Sequence, residues 1–220
     1  MADRPRIDPG SQQRSRATFE RIITTAQEMM DGRDWATVTV EDLCHAAEVS
    51  PSSFYRRFRS KDALLDVVHQ RWLDQRSAVI EEFVDTFPWE DLSPRAVCEL
   101  IAYGYIEDRL AVSERAFSIM RVQASHPRLA DRAIAQDKVD LARFATPLAN
   151  ATGCDYQDAC FGLLAISHTI IAAVQSPRPW LEILEWSKED LVARCVAAFA
   201  AITDVDLDVA QPTRSSTDAR

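Results

Sequence analysis

Apolar side chains recur at helical spacing along most of the chain. The stripe that begins at Phe19 predicts an amphipathic helix over residues 15–31. Two much shorter segments follow it, and a second long stripe runs from Ser60 to about residue 85. Further helices are predicted at about 94–108, 113–125, 128–150, 154–175 and 187–203. This pattern predicts an all-α fold, with a small N-terminal head and a larger helical-bundle body.

The two short segments carry strong helix-start signals. Thr39 is placed to cap a helix that begins near Val40, with Asp42 as its third residue. Ser50 is placed to cap the second helix, and Pro51 occupies its first position, where a missing N–H costs nothing. Two short helices joined by a turn of about three or four residues form a helix-turn-helix.

The second short helix offers an unusual set of exposed groups. If Phe54 and Phe58 are buried, the opposite side presents hydroxyls, a phenol and two guanidiniums, and no acid occurs in residues 49–61. Residues 1–61 carry ten Lys or Arg against nine Asp or Glu, in a protein of net charge -9. A local basic surface on an acidic protein indicates contact with DNA phosphates and base edges. The alternative is a helical hairpin with a solvated charged face.

The run from Thr39 to Leu65, TVEDLCHAAEVSPSSFYRRFRSKDALL, resembles the signature of TetR-type transcriptional regulators. The resemblance extends over about fifty residues, from Arg16 to Leu65. Two positions depart from the family pattern. Glu48 stands where the family usually has Gly, so either a non-Gly residue adopts a left-handed conformation or the turn is built differently. Arg57 replaces the usual His.

The resemblance implies a dimer that binds a near-palindromic operator on double-stranded DNA. Two roles are expected for the head, base readout and phosphate contact. Base readout is expected from Ser52, Ser53, Tyr55 and Arg56. Phosphate contacts are expected from Thr39, Ser50, Arg57 and Lys61, and Arg16 is expected to reach phosphates or a minor groove. Replacement of Lys61 by Ala is expected to reduce the slope of log K against log salt by about one.

The body is expected to bind a partner subunit and a small molecule. Residues 155–175 are apolar nearly all round, and with residues 187–203 they occupy the place of the family's four-helix dimer interface. Completion of a monomer core is the alternative. TetR-type bodies also hold effectors, and an apolar or aromatic one is expected here. The candidate pocket residues, which ordinary core packing would also explain, are Trp72, Phe83, Tyr103, Phe117, Met120, Phe144 and His168.

The predicted organisation is a head at 1–60 with a flexible arm at 1–13, a body at 61–203 and a disordered tail at 204–220. No phosphate-binding loop, nucleophile elbow or metal-ligand motif occurs, so no enzyme activity, cofactor or metal is expected. Neither a signal peptide nor a membrane-spanning run is evident, which indicates a cytoplasmic protein. A ligand-released repressor is the favoured function. The alternative is a regulator that binds DNA constitutively or answers to a protein partner.

Overall fold

The computed structural model describes residues 9–111, 114–175 and 180–208, and these residues form helices and no strand. The predicted all-α class is therefore confirmed. A turn of 3₁₀-helix also covers Trp35–Thr37. The α-helices are α1 (Pro9–Gly32), α2 (Val40–Ala46), α3 (Pro51–Tyr55), α4 (Lys61–Thr86), α5 (Pro94–Ala111), α6 (Glu114–Ser125), α7 (Pro127–Thr152), α8 (Tyr156–Gln175), α9 (Trp180–Ile183) and α10 (Lys188–Thr203).

The helices divide into two compact units. The first contains the described residues up to Arg76 together with 114–134, and the second contains Ser77–Ala111 and the described residues from Ala135 onward. Helices α4 and α7 each contribute to both units. The boundary predicted at residue 60 does not coincide with this division, because the first turns of α4 supply Leu64 and Leu65 to the core of the first unit.

The core of the first unit draws on helices from both ends of the sequence. Ile22 of α1, Phe54 of α3 and Leu64 of α4 are fully buried. Ile119 of α6 and Leu129 of α7 join the same cluster, and α1 packs against α6. The helix-turn-helix is thus held by residues more than fifty positions away. Burial of each such side chain contributes about 1.5 to 3 kcal/mol.

The second unit is built on α5, α8 and α10, which pack against one another. Gly162 of α8 lies so close to α10 that an added Cβ would stand 2.7 Å from the ring of Phe199. At another side of this core, Phe83 of α4 stacks on Phe144 of α7 with ring centroids 5.4 Å apart. Trp89 meets the Phe144 ring edge-on at 6.2 Å.

The two ends of the chain differ from the prediction. Helix α1 begins at Pro9, so residues 9–13 of the predicted arm are helical, and residues 1–8 lie outside the described part. Residues 204–208 of the predicted disordered tail are packed, since Leu207 is buried and Arg95 forms a 2.5 Å ion pair with Asp208. Residues 209–220 lie outside the description. The short helix α9 was not predicted.

Helix α8 departs from the prediction that no run is long and apolar enough to span a membrane. Residues Tyr156–Val174 are long and apolar enough to cross a membrane by length and composition, and only 28% of this stretch is buried inside the chain. Core and interface helices of soluble proteins also meet that test, so it is weak evidence for a membrane span. Several large apolar side chains of this helix are exposed, among them Phe161 and Leu164.

Candidate nucleic-acid interface

Helix α2 begins at the predicted cap, Thr39, which forms a capping box with Asp42. The hydroxyl of Thr39 accepts from the backbone N–H of Asp42 at 3.0 Å, and the Asp42 carboxylate accepts from the Thr39 N–H at 3.0 Å. It also accepts from the Thr39 hydroxyl at 2.8 Å. The backbone N–H and then the hydroxyl of Thr39 hold the pKa of the Asp42 carboxyl below its ordinary value. The Thr39 hydroxyl is therefore committed to the start of α2.

Helix α3 begins with the second predicted cap. Ser50 Oγ accepts from the backbone N–H of Ser53 at 3.2 Å, and Pro51 takes the first helical position. The Ser50 hydroxyl also lies 3.0 Å from that of Ser52. Ser50, which caps α3, thus contacts Ser52, a residue predicted to read bases.

The turn between the two helices has a left-handed residue. Glu48 has φ 52°, and its N–H donates to the carbonyl of His45 at 3.1 Å. The following N–H, of Val49, donates back to the carbonyl of Cys44 at 2.9 Å. Of the two alternatives left open by the missing glycine, the structure takes the left-handed one. A non-glycine residue in that region costs about 1 to 2 kcal/mol.

Helix α3 presents one face to solvent. Phe54 is fully buried and Phe58 nearly so, with their ring centroids 5.6 Å apart. Opposite them, Ser52 and Arg56 are exposed and the Tyr55 side chain is 54% exposed. Hydroxyl, phenol and guanidinium groups are the donors and acceptors that read base edges in a major groove.

Arg57, by contrast, turns back onto the head. Its Nη1 donates to the carbonyl oxygen and the hydroxyl of Ser53, at 2.8 and 2.9 Å. Its Nη2 donates to the carbonyl oxygen and the hydroxyl of Ser15, both at 3.3 Å. The guanidinium thereby bridges α3 and α1. Ser53 is half-buried and already accepts these bonds.

Lys61 is also engaged within the head. Its ammonium donates to the carbonyls of Trp35 and Val38, at 2.7 and 2.8 Å, and lies 5.1 Å from the centroid of the Trp35 indole. Trp35 itself is only 3% exposed. Lys61 therefore fixes the segment that leads into the cap of α2.

The residues predicted to bind DNA thus fall into two groups. Among the residues expected to read bases, Ser52, Tyr55 and Arg56 are exposed, whereas Ser53 is half-buried. Four of the expected phosphate contacts form bonds within the head, and Arg16 is exposed on α1. Those four are Thr39, Ser50, Arg57 and Lys61. Sequence reasoning had no signal for the bonds of Lys61 to Val38 or of Arg57 to Ser15, since these join residues 23 and 42 positions apart.

The amino-acid sequence of this head matches a known family. The model of the bacterial regulatory proteins of the tetR family matches residues 22–68, which cover the second half of α1 from Ile22, all of α2 and α3, and the start of α4. The chain carries a TetR-type DNA-binding domain. A comparison of the whole chain with curated proteins gives no match.

Solved structures share the TetR-type fold over most of the chain. A putative TetR-family regulator from Mesorhizobium loti has a TM-score of 0.62 at 20% identity, covering 86% of this chain and 96% of its own. GusR from Salmonella enterica has a TM-score of 0.61 at 14% identity, covering 86% of this chain and 96% of its own. FadR from Bacillus subtilis, solved with stearoyl-CoA, gives 0.56 at 18% identity and covers 84% of this chain and 97% of its own.

The seven predicted pocket residues are divided between the two units. Trp72 of α4 and Met120 of α6 belong to the first unit, where Trp72 packs on the core and lies 5.1 Å from the Arg76 guanidinium. Phe117 lies on α6, but its side chain is outside the described part. These three positions therefore do not add to the core of the second unit.

The other four lie in the second unit and have different surroundings. Phe83 and Phe144 stack on each other. Tyr103 is 38% exposed and its hydroxyl donates to Glu189 at 3.1 Å. His168 is exposed on α8, with Nδ1 2.7 Å from the carbonyl of Leu164.

A cavity of about 440 Å³ lies in the first unit, beside the start of α4. It shares no residue with the predicted pocket. Its lining is mixed in charge, so it indicates no single class of ligand. The lining residues are Arg33, Asp34, Trp35, Ala36, Lys61, Asp62, Arg121, Val122, Ser125 and His126. Among the described residues, no group of three or more His, Cys, Asp or Glu is placed to hold a metal ion.

Proposed function

We propose that the protein is a homodimeric transcriptional regulator that represses from a near-palindromic operator and is released by a small, largely apolar effector. The observation that carries the DNA-binding part is the doubly capped α2–α3 pair, with Ser52, Tyr55 and Arg56 exposed on one face. Two such heads related by a two-fold axis would enter successive major grooves, with half-sites about 34 to 36 Å apart or a multiple of that.

The test is a selection of genomic DNA fragments with the purified protein, followed by footprinting of the best fragment at two salt concentrations. A protected near-palindrome is the expected result. Weak, strongly salt-dependent binding without a preferred sequence would contradict operator reading, because phosphate contacts alone give that behaviour.

The homodimer is proposed from the exposed face of α8. Phe161 is 62% and Leu164 42% exposed, and His168 and Ala172 continue the same face at helical spacing. On α10, three alanines four residues apart are exposed in the same way. They are Ala193, Ala197 and Ala201. Two copies of these helices would cover each other's apolar surface, which supports the interface expected over 155–175 and 187–203.

Substitution of one interface residue tests the dimer. Leu164→Asp is expected to give a monomer in light scattering after gel filtration, because the introduced charge would be buried against a second copy. Val79→Asp is the matched control: Val79 is also 62% exposed, but lies on α4, outside the proposed interface. Equal behaviour of the two variants would contradict the proposed interface.

The effector is proposed to be largely apolar because the second unit contains the aromatic cluster of Phe83, Phe87, Trp89 and Phe144. The FadR relative, which was solved with stearoyl-CoA, supports the same class. Thermal stabilisation by stearoyl-CoA but not by free coenzyme A is the expected result. Stabilisation by highly polar metabolites alone would contradict an apolar effector. No shift with any ligand would favour a constitutive or protein-controlled regulator.

A further inference from the structure

The surroundings of Arg57 differ from those of the exposed Arg56 and Arg59. Arg56 is exposed and Arg57 is half-buried, although they are neighbours in the sequence. Four donor–acceptor pairs join the Arg57 guanidinium to two serines, and its Nε is buried without a hydrogen-bond partner. The guanidinium would gain little free energy by binding a phosphate instead, because it would lose its hydrogen bonds to the carbonyls of Ser53 and Ser15.

The bonds of Arg57 define the position of α3. Ser53 is reached through both its carbonyl and its hydroxyl, so its side-chain rotamer is fixed as well as its backbone. Ser15 is reached at the other end of the fork, 42 residues earlier on α1. A planar guanidinium spans two such sites, whereas an ammonium offers its donors from a single atom.

We propose that Arg57 is a positioning residue that sets base specificity through Ser53, by fixing the Ser53 hydroxyl and tying α3 to α1, and that it does not neutralise a DNA phosphate. The inference rests on the proposed operator reading. Because the Ser53 hydroxyl accepts from Nη1, its own proton is left to donate to an acceptor on a base edge. Arg57 thus decides which hydrogen-bonding role Ser53 presents to DNA.

Salt dependence separates a positioning residue from a phosphate contact. Each neutralised phosphate contributes about 0.9 to the slope of log K against log salt. Arg57→Gln is therefore expected to leave the slope nearly unchanged, yet to reduce discrimination about 10-fold at the base pair read by Ser53. Arg57→Lys keeps the charge and is expected to lose the same discrimination. Arg16→Gln is the comparison, an exposed guanidinium proposed to contact phosphate, and is expected to lower the slope by about 0.9.

A double-mutant cycle tests the route through Ser53. Ser53→Ala alone and Ser53→Ala with Arg57→Gln are expected to discriminate equally, because the two residues act as one unit. If Arg57→Gln lowers the melting temperature too far for binding assays, Arg57→Lys and Ser53→Ala carry the test. A slope reduced by about 0.9 in Arg57→Gln and restored in Arg57→Lys would overturn the inference. Failure of the wild-type protein to prefer any sequence would instead overturn the proposed function.

Discussion

Lys61 gives the sharpest test of how the head is held together. Replacement by Met keeps the length of the side chain and its helix propensity but removes the ammonium. The carbonyls of Trp35 and Val38 lose the ammonium as a donor, although that of Trp35 keeps the backbone N–H of Val38 at 3.2 Å. The cation–aromatic contact at 5.1 Å is lost as well. Because Thr39 follows Val38 directly, the loss acts on the segment that caps α2.

The expected cost is worked from these contacts. Two bonds from a half-exposed charged donor contribute about 2 kcal/mol together, because exposure to solvent reduces each to the value of an ordinary hydrogen bond, about 1 kcal/mol. The contact with the indole adds about 0.5 to 1 kcal/mol. A cation at the first position of a helix is unfavourable, and its removal returns about 0.5 kcal/mol. The net destabilisation of the head is about 2 kcal/mol.

Hydrogen exchange measures this change locally. Amides of Val40–Ala46 are expected to exchange about 30-fold faster in Lys61→Met, the factor that corresponds to 2 kcal/mol. Arg59→Met is the control, because Arg59 is also cationic but exposed, and it should leave these amides within about 0.5 kcal/mol of the wild type. Unchanged exchange in Lys61→Met would refute the inward role. An unchanged salt slope of DNA binding in a folded Lys61→Met would separately refute its expected phosphate contact.

Two further changes test backbone and packing. Glu48→Gly removes the strain of a non-glycine residue at φ 52°, so the free energy of unfolding measured by urea titration should rise by about 0.5 to 1 kcal/mol. The control, Glu41→Gly inside α2, should lower the free energy of unfolding by about 1 kcal/mol. Gly162→Ala should lower the free energy of unfolding by about 1 kcal/mol, because the added Cβ would lie 2.7 Å from the Phe199 ring. Gly104→Ala should raise it by about 0.5 to 1 kcal/mol, since the nearest atom stands 3.8 Å away. Equal effects of the two alanine substitutions would contradict the close approach of α8 and α10.

Local signals in the sequence were sufficient to predict the starts of α2 and α3. The caps at Thr39 and Ser50 and the proline at position 51 act within three residues, so they can be recognised without tertiary structure. The apolar spacing likewise predicted the buried stripe of α1. Residues that satisfy their bonds locally are those for which sequence patterns are most informative.

Long-range bonds could not be predicted in this way. The sequence shows that Arg57 and Lys61 are cations near a recognition helix, and phosphate contact is the usual role of such groups. It does not show that Ser15, Trp35 and Val38 supply acceptors to them. The same limit applies to the head as a unit, because α6 and α7 enter its core from far along the chain.

Aromatic residues at helical spacing were the weakest guide. Phe83 and Phe144 do meet, whereas Trp72 packs on the first unit and Tyr103 reaches Glu189 at the surface. A large side chain at a given helical position is compatible with core, surface or pocket, and only the neighbouring helices decide among them. Spacing along a helix therefore does not locate the proposed effector site.

The ratio of affinities for a selected operator and a scrambled duplex of equal length tests the central claim most directly. Both are measured with the full-length protein at physiological salt. Recognition through the exposed face of α3 predicts a preference of about 1,000-fold or more. It also predicts that Arg56→Ala lowers this ratio selectively at one base pair. A ratio near one in the wild-type protein would contradict the account, because it would mean that the head binds only the DNA backbone.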